Sequence, residues 1–415
     1  MNTLIEYIPA LDCLVTRTVA NRVLDDFDMA DSTSTPRILL LGATGYVGGS
    51  VLHHLLEAPH PLLSKVSITV LVRGSDRAAK LRHVYGVRVS PVLFNDLNDV
   101  DLIADLASQH DIVVNAGTGF HPTSAEAIVR ALSKRQPQAV SGGEARKPWV
   151  VHTSGCSNIS DDPLAGDDRR DRWFNDADPL AIYEHQKAAD ARAPYLQRTT
   201  ELAVLDAGEE TGVSAIVLQI PLIYGEGRGL FNTVGAMVPT MIKYVLDTGF
   251  GAKLGDGSGC IGVVHIDDLA ELYVLIVQRI LEDGGKALPS GKGGTIFPCV
   301  GIVLLADIAQ GCVDAAFRKG VLPKPDGPQV REVREVSVDD LAPYLGGGEL
   351  GRHIAQIGWG GHWNTIGTKA VQLGWRPAHP RDDFLLDDHF DFELEAMLAG
   401  KRVINLDKVI GQEKS

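Results

Sequence analysis

Cysteine is scarce and has no paired spacing: Cys13, Cys156, Cys260, Cys299 and Cys312 form neither a CxxC metal knuckle nor a disulfide framework. An odd, sparse set of thiols suits a reducing compartment. A basic balance is lacking too, because 39 Lys and Arg stand against 53 Asp and Glu, a formal charge of −14. That sign argues against nucleic acid or an anionic membrane as the main partner, both of which need a basic face. It still admits an anionic cofactor, since a pocket can be locally positive. No hydrophobic run is long enough to span a bilayer: the apolar stretch Val263–Leu281 is interrupted by Asp267, Asp268 and Glu271 and reads as a buried helix. The first residues carry Glu6 and Asp12 where a secretory leader has a basic start. A cytoplasmic protein handling a small-molecule substrate is the expectation.

What is present is ordinary core material, with 45% hydrophobic and 22% charged residues in 415, enough for one large α/β unit and an added lobe. Residues 1–35 read as a flexible extension, acidic over Asp25–Asp31 and then small and polar. From Arg37 onward, short apolar runs alternate with helix-length segments. Strands are expected at Arg37–Leu41, Val66–Val72, Val87–Phe94, Asp111–Asn115, Trp149–Thr153 and Ser214–Gln219. Helices are expected near Val47–Glu57, Arg77–Val84, Val100–Gln109, Ser124–Lys134 and Ala181–Thr211. The strand runs do not alternate in polarity, as a sheet covered on both faces requires. The fold class is therefore a doubly wound parallel sheet of Rossmann type over residues 36–220. Residues 221–415 are expected to build a smaller, partly discontinuous substrate lobe, with 260–283 returning to the sheet. Asp161–Asp178 holds seven acidic residues and three arginines around Trp173 and Phe174. It reads either as a lid or as a solvated loop.

The first strand runs into Gly42, Ala43, Thr44, Gly45, Tyr46, Val47 and Gly48, a GxxGxxG turn opening a helix. Glycine lets the backbone approach a pyrophosphate, and the helix N-terminus offers N–H groups and a favourable dipole. NAD-selective sites place an acid about 20 residues further on, at the end of the second strand. Here Arg73 stands at that point, with Arg77 and Lys80 behind it. A guanidinium suits a 2′-phosphate, so NADP is favoured over NAD.

Tyr183 and Lys187 are four residues apart, so on a helix they share one face. An ammonium beside a phenol lowers its pKa from near 10 and fits it for proton exchange with a carbonyl or alcohol.

These landmarks resemble the extended short-chain dehydrogenases/reductases of the NAD-dependent epimerase/dehydratase family. The likeness rests on Gly42–Gly48, Asp96-Leu97, Asn115-Ala116-Gly117, Thr153-Ser154, Tyr183/Lys187, Pro221–Gly225 and His265–Ala270, in the family's order. The resemblance implies that Asp96 and Leu97 lie by the adenine and that Ala116 and Gly117 line the cofactor cleft. It also implies that Lys187 holds the nicotinamide ribose, that Pro221 borders the nicotinamide, and that two copies pair as a homodimer.

Two positions depart from that pattern. Gly155 falls where the family carries a catalytic hydroxyl, which leaves Ser154 as the candidate replacement. Loss of such a donor costs on the order of several kcal/mol in well-studied sites. Gln219 stands where the family often has arginine. No metal site is expected, since His152, His185 and His265 lack ligand spacing. The leading expectation is an NADP-preferring oxidoreductase acting on a carbonyl/alcohol pair, with Tyr183 as acid/base. Two alternatives stay open: a nucleotide-sugar epimerase or dehydratase that retains NAD, and a dinucleotide-sensing regulator without turnover.

Overall fold

The computed structural model describes residues 36–135, 147–323 and 330–400. The expected N-terminal extension, 1–35, lies outside them. Strands β1 (Arg37–Leu41), β2 (Ser67–Val72), β3 (Val89–Leu93), β4 (Ile112–Asn115) and β5 (Trp149–Gly155) form most of one sheet. After β6 (Phe174–Asn175), β7 (Ser214–Ile220) extends that sheet. The chain then passes through β8 (Leu222–Tyr224), β9 (Gly251–Lys253) and β10 (Cys260–His265) to β11 (Thr295–Ile296), which completes it. The order is β11-β7-β5-β4-β1-β2-β3, with every pairing parallel. This is the doubly wound sheet expected from the uninterrupted apolar runs. Ile38, Leu39, Leu40 and Val113 are fully buried because helices cover both faces.

Five helices bracket the first five strands: α1 (Tyr46–Glu57), α2 (Ser75–Tyr85), α3 (Val100–Ser108), α4 (Pro122–Leu132) and α5 (Pro179–Arg192). A sixth, α6 (Leu196–Thr211), leads into β7, and α7 (Met237–Thr248) and α8 (Ile266–Asp283) follow. One face of the sheet packs against α1 and α8 through Val51, Leu55, Leu269, Tyr273 and Ile276. The other packs against α3, α4 and α6 through Ile103, Ile128, Val204 and Leu205. Helix α8 begins as its sequence suggests: His265 Nδ1 accepts from Asp267 N at 3.2 Å, and two aspartates occupy the first turn.

The expected single helix Ala181–Thr211 is two. Pro194 forces Ala193 out of the helical region, to φ −146° and ψ 94°, and α5 ends there. The two helices fold back on each other, with Gln186 facing Glu201 and Tyr183 facing Asp206. Only α6 continues directly into the sheet.

A second apolar cluster joins α7, β8, β10, β12 (Gly301–Leu304) and α9 (Leu305–Arg318) to Trp359, Trp363, Phe384 and Phe390. The acidic Asp161–Asp178 stretch is tied to this region. Asp161 receives His362 N at 2.6 Å and His362 Nδ1 at 2.9 Å, Asp176 receives Phe297 N and Thr368 N, and β6 pairs with Thr365–Ile366.

Candidate active site

Register decides which residues share the sheet's C-terminal edge. Leu41 lies beside both Leu71 and Asn115, Asn115 beside His152, and Gly155 beside Ile220. The Gly42 turn, Arg73, Ala116-Gly117, Gly155 and Pro221 therefore all emerge along one edge. The strand order reverses about β1 and β4, and open α/β sheets bind ligands at such a switch point.

The turn fits a dinucleotide. Gly42 adopts φ +87°, and a Cβ there would lie 2.2 Å from Ala116 O, so the backbones of two loops meet where only glycine fits. Gly45 caps α1 without a side-chain hydrogen bond, leaving first-turn N–H groups for an anion. Tyr46 is buried and its phenol donates to Gly225 O at 2.5 Å, so only its backbone can serve a cofactor. Val47 and Gly48 follow in the same turn of helix, and a Cβ on Gly48 would lie 2.3 Å from Gly42 O. Arg73 is exposed, and neither it nor Arg77 forms an ion pair with a described residue. Asp96 is exposed and orders its own loop by accepting from Asn98 N at 2.7 Å.

Tyr183 and Lys187 sit elsewhere. The Tyr183 ring is fully buried in the layer formed by Leu202, Leu205 and Val217, and its hydroxyl donates to Asp206 at 2.5 Å. Asp206 lies ten residues into α6, roughly 15 Å down the helix from the strand ends. Lys187 Nζ is 3.5 Å from the phenol, and Lys292 approaches the ring from the Gly291–Gly294 turn. That turn lies beside Ala215, near the start of β7. Burial pushes the phenol's pKa up, and the Asp206 carboxylate beside it raises it further. The expected pair exists, but against the wrong end of the sheet for a nicotinamide.

Ser154 likewise faces inward. Its hydroxyl donates to the fully buried Glu201 at 2.8 Å. That carboxylate also receives Asn158 and Gln219 amides at 2.8 and 2.7 Å and the Gln186 amide at 3.1 Å. Gln219, the other departure from the family pattern, is thus a structural donor.

The start of α6 supplies what the edge does hold. Tyr195 is 7% exposed, and its hydroxyl lies 3.2 Å from Ser157 Oγ, just beyond β5. Ser157 in turn donates to Gln197 Oε1 at 2.5 Å. Gln197 fills the space over two glycines: a Cβ on Gly119 would lie 3.3 Å from its Nε2, and one on Gly155 2.8 Å. Phe120 and His353 pack edge-on against the Tyr195 ring. Burial raises the Tyr195 pKa to about 12, while the Ser157 hydrogen bond and the Arg198 charge pull it down. Pro194, the signal that places Tyr195 at a helix start, is visible in the sequence.

Residues 38–136 match the saccharopine dehydrogenase NADP binding domain model, and residues 173–287 match the NAD dependent epimerase/dehydratase family. The chain is 26% identical to the oxidase ucsJ of an Acremonium species, covering 83% of this chain and 94% of that protein. Among solved structures it is similar to the dTDP-glucose 4,6-dehydratase DesIV of Streptomyces venezuelae. There the TM-score is 0.56 at 17% identity, over 86% of this chain and 97% of the other. It is also similar to alfalfa vestitone reductase, with a TM-score of 0.51 at 18% identity, over 88% and 99%. The chain shares the fold of these enzymes, and its segment 173–287 matches the NAD dependent epimerase/dehydratase family model.

Proposed function

We propose that this protein is an NADP-preferring oxidoreductase that moves a hydride between nicotinamide and a carbonyl/alcohol pair. The Tyr195–Ser157 pair at the C-terminal edge of the sheet carries this reading. The Gly42 turn and the α1 N-terminus would hold the pyrophosphate, Arg73 the 2′-phosphate, and Asp96-Leu97 the adenine. Ala116, Gly117 and Pro221 would border the rest of the dinucleotide. When bound, the cofactor supplies or accepts the hydride.

The chain's own task is the proton. In the reducing direction, Tyr195 Oη gives its proton to the carbonyl oxygen as negative charge develops there. Ser157 Oγ lies within reach of the same hydroxyl and would turn its proton from Gln197 Oε1 to the tyrosinate as that forms, and the nearby Arg198 charge lowers the cost of forming it. In the oxidising direction the tyrosinate takes the alcohol proton. Tyr183, Lys187 and Ser154 have no part in this scheme, because Asp206 and Glu201 hold them away from the edge.

The test combines cofactor titration with turnover on a carbonyl panel. NADPH should bind at least tenfold more tightly than NADH, and Tyr195→Phe should lower kcat by about 100-fold or more. Equal cofactor affinities would remove the role given to Arg73. Turnover that survives Tyr195→Phe would remove the proton donor. A tightly held, non-exchanging NAD would favour an epimerase or dehydratase instead.

A further inference from the structure

Arg198 is 8% exposed, yet no carboxylate among the described residues forms an ion pair with it. Its Nε donates to the Asn158 carbonyl at 3.1 Å, and its guanidinium carbon lies 5.8 Å from the centre of the Tyr195 ring. Desolvation lowers its pKa, and the field of Asp190, which raises it, does not make up the difference.

No acid among the described residues pairs with it directly. Asp190 is the acid whose field it feels, but that carboxylate is engaged by Tyr195 N at 3.0 Å and by the Thr199 hydroxyl at 3.0 Å. Arg169 is committed to Asp167, His185 and Ser160 O. His185 is driven down to about 3 by burial and four neighbouring arginines, and burial also lowers His353, so neither adds charge at neutral pH. A buried guanidinium without a directly paired anion gains from a ligand that supplies one. The cofactor's anions are assigned elsewhere, the pyrophosphate to the Gly42 turn after β1 and the 2′-phosphate to Arg73 after β2, two and three strands from β5, roughly 10 and 14 Å away.

We propose that Arg198 anchors a carboxylate on the substrate, so that the group reacting at Tyr195 belongs to an oxo acid or hydroxy acid. The planar guanidinium matches a carboxylate through paired N–H donors. Its distance from the Tyr195 ring leaves room for a few bonds between the carboxylate and the reacting carbon. This inference rests on the Tyr195 reading of the site and adds the substrate class to it.

Matched pairs test it on the full chain saturated with NADPH: 2-oxobutanoate against 2-butanone, and 4-oxopentanoate against 2-pentanone. At least one acid should bind tenfold or more tightly than its neutral partner in the wild type. Arg198→Met should bring that ratio to within twofold of one, and Arg198→Lys should retain part of it, which also guards against a misfolded methionine variant. A ratio near one in the wild type, or a ratio unchanged in Arg198→Met, overturns the proposal. So does displacement of the acid by inorganic phosphate more effectively than by acetate. Turnover is read separately. Acid preference in binding without turnover would defeat the oxidoreductase reading and leave the subsite standing, whereas turnover of neutral ketones without acid preference would do the reverse.

Discussion

A tyrosine near a lysine is informative only when both reach the substrate, and the two tyrosines of the α5–α6 hairpin separate along that line. Tyr183 spends its hydroxyl on Asp206. Removing the hydroxyl should cost stability of about 1 kcal/mol and leave catalysis nearly untouched. Tyr183→Phe should therefore keep kcat within threefold of wild type while its denaturation midpoint falls. A hundredfold loss of kcat with unchanged stability would return the acid/base role to Tyr183. Arg73 allows a second test at this scale. Exposed and without an ion-pair partner among the described residues, it has little structural role to lose, so Arg73→Ala should narrow the NADPH preference at least tenfold while NADH affinity holds. If both cofactors weaken equally, Arg73 contacts something other than the 2′-phosphate.

At the scale of elements, the active-site edge depends on how α6 is fastened to β5. Glu201, fully buried on α6, gathers donors from β5 (Ser154), β7 (Gln219), α5 (Gln186) and the turn after β5 (Asn158). Glu201→Ala would leave those donors unpaired in a dry interior, a loss of about 3–5 kcal/mol. Glu201→Gln keeps one acceptor oxygen and should cost less. Chemical denaturation compares the two, and an alanine variant within 1 kcal/mol of wild type would show that the network contributes little. Elements also mark where the sequence could be read and where it could not. The six main strands fall within a residue or two of their apolar runs, because a sheet covered on both faces demands continuous hydrophobicity. The Gly42 turn and Arg73 are legible for a related reason, since strand register carries them to the same edge. The hairpin is misread because Tyr183 and Lys187 have the expected spacing, and helical periodicity runs on through Ala193. Only Pro194 announces the break, and with it that the helix entering the sheet starts at Leu196 beside Tyr195. The inward turn of Ser154 had no sequence signal, since it depends on a glutamate 47 residues away.

Across the whole molecule, burial of neutral histidines sets an acid limit on stability. Burial holds His152 at about 4 and His389 at about 3, and His265 and His185 are lowered in the same direction, to about 4 and about 3. In the unfolded chain each titrates near 6.5. Between that value and the folded ones, the unfolded state binds more protons than the native state, so stability rises with pH through this window and falls on acidification. For the nearly inaccessible His152 and His389 the loss by pH 5 is on the order of 2 kcal/mol each. Glu201 and Asp176 work the other way, because burial raises their pKa values and favours the folded state as they protonate. That compensation builds as pH falls from their raised values to their ordinary ones near 4, inside the histidine window, and offsets part of the histidine loss. Urea denaturation should therefore give a free energy several kcal/mol lower at pH 5 than at pH 7. The slope should be smaller in His389→Gln, whose ring nitrogen Nε2 is buried without a hydrogen-bond partner. Equal stability at the two pH values would mean that these rings gain protons in place, and that the packing around Tyr224, Phe384 and His265 opens to water without loss of the fold.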